Sequence, residues 1–369
     1  MTIMAVKNPG ISTDLLIHPG ETISDLLEER GMSQKELALR TGVSEAFLSD
    51  VINGKKNVSS GLAAGLEYAF GVPSSFWLNL QANYDTELLI FKENESIDEE
   101  ELRVFRKIHD VVKYLLKESY IKDGLTQIQS IIELRRFFHV RRLTGLKMLV
   151  PMGAFRMSEK ATVDSDVLGA WLCICKNRTS EKKLDSDFKS ENIDDLITGI
   201  KKIMMDPSCD IQKNLTVLFG RYGIDFSIVK NFRGAPVHGY IARKEGETYQ
   251  MVLTLRGAFA DIFWFSLFHE LGHIVNGDIP KIGSYIDAQN SKDEKRESKA
   301  DLFASRSLLD QASCERFLER GNFSYSCICD YAKTQCVPPY MVIGRLQKEG
   351  VIPWTRYQRY KPRYKWAET

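Results

Sequence analysis

The chain has 369 residues, 43% of them hydrophobic and 27% charged, with a formal net charge of +1. That length exceeds what one ordinary hydrophobic core serves, so two or three domains are expected. The balance excludes a membrane-spanning protein, because no apolar run approaches the ~20 residues that cross a bilayer.

The opening "MTIMAVKNPGISTDLLIHPG" lacks the basic-then-apolar order of a secretory signal. The seven cysteines are odd in number, and Cys173/Cys175 and Cys327/Cys329 are each separated by one residue, too few for structural zinc knuckles. A cytoplasmic protein with buried or idle thiols is expected. Charge is unevenly placed: residues 1–96 hold seven Lys/Arg against thirteen Asp/Glu, whereas the tail "TRYQRYKPRYKW" has five basic residues and no acid.

From the N-terminus, "PGETISDLLEERG" predicts a helix opening at Pro19 and closing at Gly31, with Ile23, Leu26 and Leu27 at helical spacing. "SQKELALR" carries Ser33 and, three later, Glu36, which predicts a capping box. "TGV" is a tight turn in which Gly42 can take positive φ. "SEAFLSDVIN" presents Phe47, Leu48, Val51 and Ile52 inward and stops at Asn53-Gly54. "SSGLAAGLEYAFG" and "PSSFWLNLQANYDTELL" supply two further helices. Helix, glycine-containing turn, helix is the helix-turn-helix pattern.

In that motif the second helix brings its N-terminal residues to base edges in the major groove. The exposed positions are Ser44, Glu45, Ala46, Ser49 and Asp50, and none of them can read guanine as arginine or lysine does. Gln34, Lys35, Lys55 and Lys56 are candidates for phosphate contacts, Ser44 and Ser49 for base contacts. The acidic balance predicts weak DNA binding, since neutralised phosphates supply most of the affinity. The alternative is that this module recognises a protein.

Residues 97–150 read as helical, with "IQSIIELRRFFHV" amphipathic, and 178–195 read as a connector. "GIDFSIV" and "YQMVLTLRG" are β-like, the second alternating Met251, Leu253 and Leu255. The strand around 252–255 is a candidate edge for an extended substrate. An apolar helix, "AFADIFWFSLFHELGHIVNG", then ends at Asn276-Gly277, and "ESKADLFASRSLL" is a further amphipathic helix. The expected division is 1–96, a helical middle at 97–195, and 196–369.

His269 and His273 fall one helical turn apart on one face, so both imidazoles can reach one ion. Glu270 is rotated about 100° away, off the metal and in the place of a general base. A catalytic zinc needs three protein ligands, and no histidine follows His273, so a carboxylate must complete the set. Glu297, opening the next helix, has Asp301 one turn on to accept a histidine N–H; Glu294 is the competing ligand. His238 and Tyr285 are weaker candidates for contact with a reacting oxygen.

The stretches "YGIDF", "FSLFHELGH" and "ESKADLFASRSLL", with "VPPYMVIGRLQKEGVI" after them and "IIELRRFFHV…AFRMS…LGAWLCICKNR" before, resemble the ImmA/IrrE family of zinc metallopeptidases. That resemblance implies a gluzincin-like site at His269, His273 and Glu297 with Glu270 as base, and cleavage of a repressor protein. Asp301 stands where the family often has Asn. "HPGETISDLLEERGMSQKELALRTGVS", "VINGKKNVSS" and "FGVPSSFWLNLQANYD" resemble the HigA-like antitoxins of the XRE, lambda-repressor-like class. This second resemblance implies a five-helix domain that forms a homodimer on operator DNA and pairs with a small toxin.

The fold expected is therefore multidomain: an all-α helix-turn-helix domain, a helical middle, and an α+β zincin-like domain with a small helical C-terminal segment. The function expected is a regulator or antitoxin with zinc-dependent endopeptidase activity on a repressor or partner protein, in a toxin–antitoxin or mobile-element operon. The alternative is a DNA-binding antitoxin in which the zinc domain is a scaffold or sensor. The tail interleaves aromatics with cations, as nucleic-acid contacts do, and packing of those aromatics on its own domain is an equal reading.

Overall fold

The structure, a computed structural model, describes residues 16–150, 163–178, 184, 186–257, 259–279, 284–288 and 294–366. The chain divides into two compact units, 1–102 and 103–369.

The first unit is built from α1 (Pro19–Glu29), α2 (Gln34–Thr41), α3 (Glu45–Ile52), α4 (Ser60–Phe70) and α5 (Ser74–Glu95). Ile23, Leu37, Leu48, Val51, Leu62, Leu66 and Trp77 are fully buried at its centre. Three serines start three helices: Ser33, Ser44 and Ser59 accept from the N–H groups of Glu36, Phe47 and Leu62, each at 3.2 Å. The capping box expected at Ser33 is only half made, because the Glu36 carboxylate accepts from Arg40 at 2.6 Å instead. Helix α1 is capped by a histidine, whose Nδ1 accepts from the Gly20 N–H at 2.9 Å. A Cβ at Gly20 would fall 2.3 Å from the Val51 carbonyl oxygen, so α1 begins directly against the end of α3.

Helix α6 (Glu99–Lys107) is followed by α7 (His109–Lys117), α8 (Gln127–Phe138), α9 (Ser165–Asn177), α10 (Ile193–Met205) and α11 (Ile211–Gly220). Then come β1 (Ile224–Ile228), β2 (Val237–Arg243), β3 (Tyr249–Leu253), α12 (Ala260–Val275), β4 (Ser284–Ala288), α13 (Glu294–Leu308), α14 (Gln311–Glu319), α15 (Tyr325–Thr334) and α16 (Pro339–Lys348). The sheet order is β1-β3-β2-β4, with β1 parallel to β3 and the other two pairings antiparallel.

The sequence expectations for β3 need correction here. β3 is an interior strand with every residue buried, so its apolar run reflects cover on both faces rather than alternation. With β1 and β2 on either side, it offers no edge for a substrate. Helix α9, assigned from sequence to the helical middle, packs on this sheet: Trp171 meets Tyr240 edge-on at 6.4 Å, and Gln250 donates to the Cys175 carbonyl at 2.6 Å.

Helix α12 runs through the core of the second unit, with Phe263, Trp264, Leu267, Phe268 and Leu271 buried. The basic tail closes over its first turn. Arg363 bridges Phe259, Trp264 Nε1 donates to the Tyr364 hydroxyl at 2.9 Å, and Lys361 pairs with Asp261 at 2.5 Å, both side chains buried. Lys361 and Tyr364 of the tail thus serve intramolecular packing, while Arg356, Arg359, Arg363 and Lys365 remain exposed. No helix among the described residues is long and apolar enough to cross a membrane.

Candidate metal centre and helix-turn-helix face

Helix α12 carries His269 and His273 inward, with relative exposures of 7% and 0%. Their Nε2 atoms are 3.1 Å apart. Helix α13 brings up Glu297, with Oε2 at 3.2 Å from His269 Nε2 and Oε1 at 3.8 Å from His273 Nε2. The close approach of the helices depends on Gly272, where a Cβ would lie 3.1 Å from the Ala300 Cα. Of the two carboxylates weighed from sequence, Glu297 is the one grouped with the histidines, all three ligand atoms lying within 4.8 Å of one another.

This donor set fits zinc. Two atoms bound at ~2.0–2.2 Å to a tetrahedral zinc stand about 3.3 Å apart, close to two of the three separations seen. Each imidazole is also turned by its other nitrogen. His269 Nδ1 lies 2.9 Å from Asp301 Oδ1, and His273 Nδ1 lies 2.9 Å from Asp278 Oδ2. A carboxylate only accepts, so each Nδ1 carries the proton and each Nε2 presents its lone pair to the cluster. The hydrogen bond from His269, followed by the Lys348 charge, holds the Asp301 carboxyl below the usual carboxylate range. Burial pushes His273 below its ordinary value.

Glu270 is fully buried and lies against β2. A Cβ at Gly239 would meet its Oε1 at 2.0 Å, so only glycine leaves room for the carboxylate there. His238, the preceding residue, is pushed down to about 4 by burial, then by the Arg256 and His269 charges, and its ring is uncharged at neutral pH. The side chain of Tyr285 lies outside the described residues. Asp278 and Gly239 were not among the residues singled out from sequence. A glycine inside the strand pattern "APVHGYIA" was the available signal for the second, since it marks close approach. Asp278 closes the turn "NGD" and looked like punctuation.

In the first unit, Gln34, Lys35, Ser44, Glu45, Lys55 and Lys56 are exposed and Ser49 is partly so. Several are already engaged. The Ser44 hydroxyl caps α3, Ser49 Oγ accepts from Asn53 Nδ2 at 3.2 Å, and Lys56 pairs with Asp50 at 2.9 Å while lying 5.4 Å from the Phe47 ring centre. Of these candidates Lys35 and Lys55 are the remaining exposed cations, and α3 itself carries the acids Glu45 and Asp50.

Comparison with known proteins bears on this unit. A family described as "Helix-turn-helix" matches residues 23–77. The virulence-associated protein A' of Dichelobacter nodosus is 42% identical over 86 residues, which are 23% of this chain and 69% of that protein. An addiction module antidote protein of a HigA family from Coxiella burnetii is 32% identical, with 22% of this chain and 89% of that one covered and a TM-score of 0.21. The antitoxin HigA of Pseudomonas aeruginosa, in a structure with the higBA promoter, is 28% identical over 22% of this chain and 96% of that one, also at 0.21.

Proposed function

The chain belongs to the helix-turn-helix family through residues 23–77, and from that premise we propose a DNA-binding regulator of antitoxin type whose second unit is a zinc-dependent endopeptidase acting on a repressor or partner protein. The DNA-bound form is a homodimer on an operator, with a small toxin as the further partner. The observation that carries the peptidase reading is the convergence of His269, His273 and Glu297, with Asp301 and Asp278 each holding one imidazole.

Zinc, when bound, supplies Lewis acidity to the attacking water and the peptide carbonyl. The chain's own groups do the rest. His269 and His273 present fixed lone pairs because their Nδ1 protons are committed to carboxylates. Glu270, next to His269 in sequence on the same helix, accepts the proton of the attacking water and returns it to the departing amine. The apolar flank of α12 keeps bulk water out, which strengthens each charge interaction.

One observation favours a second reading. Glu270 has no exposed surface, which suits a buried structural carboxylate as well as a base, and in that case the second unit is a scaffold or sensor. Glu270→Gln separates the two. Zinc content, DNA binding and melting should match the parent, whereas His269→Ala and Glu297→Ala should lose the metal. Removing a base costs ~10²–10⁴ in rate, so cells carrying Glu270→Gln should fail to relieve repression and should accumulate uncleaved partner. A parental phenotype with zinc retained would leave the scaffold reading standing.

A further inference from the structure

The tail beyond α16 carries five basic residues between positions 354 and 366 and no acid. Its backbone is held in place. Gln347 Nε2 donates to the carbonyls of Trp354 and Arg356, each at 3.0 Å, and the Ala260 N–H donates to the Pro362 carbonyl at 2.9 Å. Lys361 is committed to Asp261, but Arg356, Arg359, Arg363 and Lys365 are exposed. Among the described residues none of these four meets a carboxylate. Arg356 donates to the Phe323 carbonyl at 3.3 Å and Arg359 to the Tyr360 hydroxyl at 2.9 Å, both neutral acceptors. The three guanidiniums lie over rings, 5.0 Å from the centre of Tyr357, 4.8 Å from Tyr360 and 4.2 Å from Phe259. Two indoles stand at either end of the segment, Trp354 at 62% exposure and Trp366 at 37%.

We propose that this tail is a second nucleic-acid contact, separate from the helix-turn-helix, and that it takes single-stranded DNA, with phosphates on the four cations and bases on the indoles. A guanidinium that rests on an aromatic ring keeps its edge N–H groups for phosphate oxygens. Indole faces stack on unpaired bases of any sequence, and a duplex conceals those faces. Because the backbone is already pinned, a strand that docks here orders little of the protein. A membrane surface would need an apolar face to bury, and the exposed apolar side chains of this segment are the two indoles, set among cations. An acidic peptide gains the charge contacts alone. The choice of DNA over RNA rests on the helix-turn-helix reading of the first unit; the site itself requires neither that unit nor a metal.

The test is fluorescence anisotropy of a labelled oligo(dT), about 20 nucleotides long so as to exceed the usual single-strand site, titrated with the full chain across a salt series. Binding should saturate at low salt, and log affinity should fall with log salt at a slope of about −3, four phosphate contacts at ~0.7 each. The double variant Arg359→Gln, Lys365→Gln should weaken binding at least tenfold at low salt and flatten the slope by about 1.4. Trp354→Ala should weaken it about tenfold and leave the slope alone, since stacking releases no counterions. Duplex DNA is titrated in parallel, and both variants should leave its binding unchanged, so loss at the tail and loss at the helix-turn-helix are read separately. Absence of saturation, oligo(dT) affinity indifferent to both variants, or duplex weakened as much as the single strand would overturn the proposal. So would tighter binding of oligo(U), a glutamate oligomer or phosphatidylglycerol vesicles than of oligo(dT). All three altered residues are exposed, and unchanged melting of each variant confirms that the fold is intact.

Discussion

Asp278 and Asp301 do the same work, each accepting a hydrogen bond from the Nδ1–H of one histidine. Losing such a partner typically costs 10- to 100-fold in metal affinity. Asp278→Ala should therefore weaken zinc by that factor in chelator competition while His269→Ala removes it outright; unchanged affinity would make Asp278 a turn residue only. His18 is a second residue whose role is local. Burial lowers its proton affinity below the ordinary 6.5, and the cap it makes needs an unprotonated Nδ1. The unfolded chain binds that proton more readily, so the stability His18 supplies is complete above 6.5 and falls as pH drops below it. The melting transition of the first unit should show this acid loss, and His18→Asn, which keeps a capping acceptor, should flatten it.

At the scale of elements, the closest fit is between α12 and β2, where Gly239 faces Glu270. Gly239→Ala should cost ~1–3 kcal/mol through overpacking. Glu270→Ala in the same chain should recover much of it, because the atom that clashes is gone; additive losses in that double-mutant cycle would mean the two do not touch. This region also marks what the sequence made legible. Helical spacing and cap residues placed His269, His273, Glu297 and Asp301 on their helices, and Ser33 and Gly42 at helix ends, because these signals are local. The arrangement of strands was hidden, since β3 is buried on both faces and so carries no alternation. Strand β4 is short and follows α12 rather than its partner β2, so nothing local announces the pairing. The docking of α9 on the sheet rests on Trp171 and Gln250, contacts that no periodicity encodes.

At the scale of the whole chain, the helix-turn-helix lies in the first unit and, among the described residues, the histidine–carboxylate cluster lies in the second. A ligand bound to one folded unit stabilises that unit alone. Dialysis against a chelator should lower the melting transition of the second unit and leave that of the first, and DNA binding, unchanged; a joint shift of both would show that the units unfold together. The clasp of Lys361 and Tyr364 on α12 has a temporal consequence. Translation reaches position 361 long after the first unit, 1–102, has emerged. At ~5–20 residues per second, that interval is on the order of tens of seconds. During it a nascent chain can already possess its helix-turn-helix while α12 waits for the segment that closes over its first turn. The helix-turn-helix unit is thus complete first, and α12 gains the cover of its first turn only when residues 361–364 arrive.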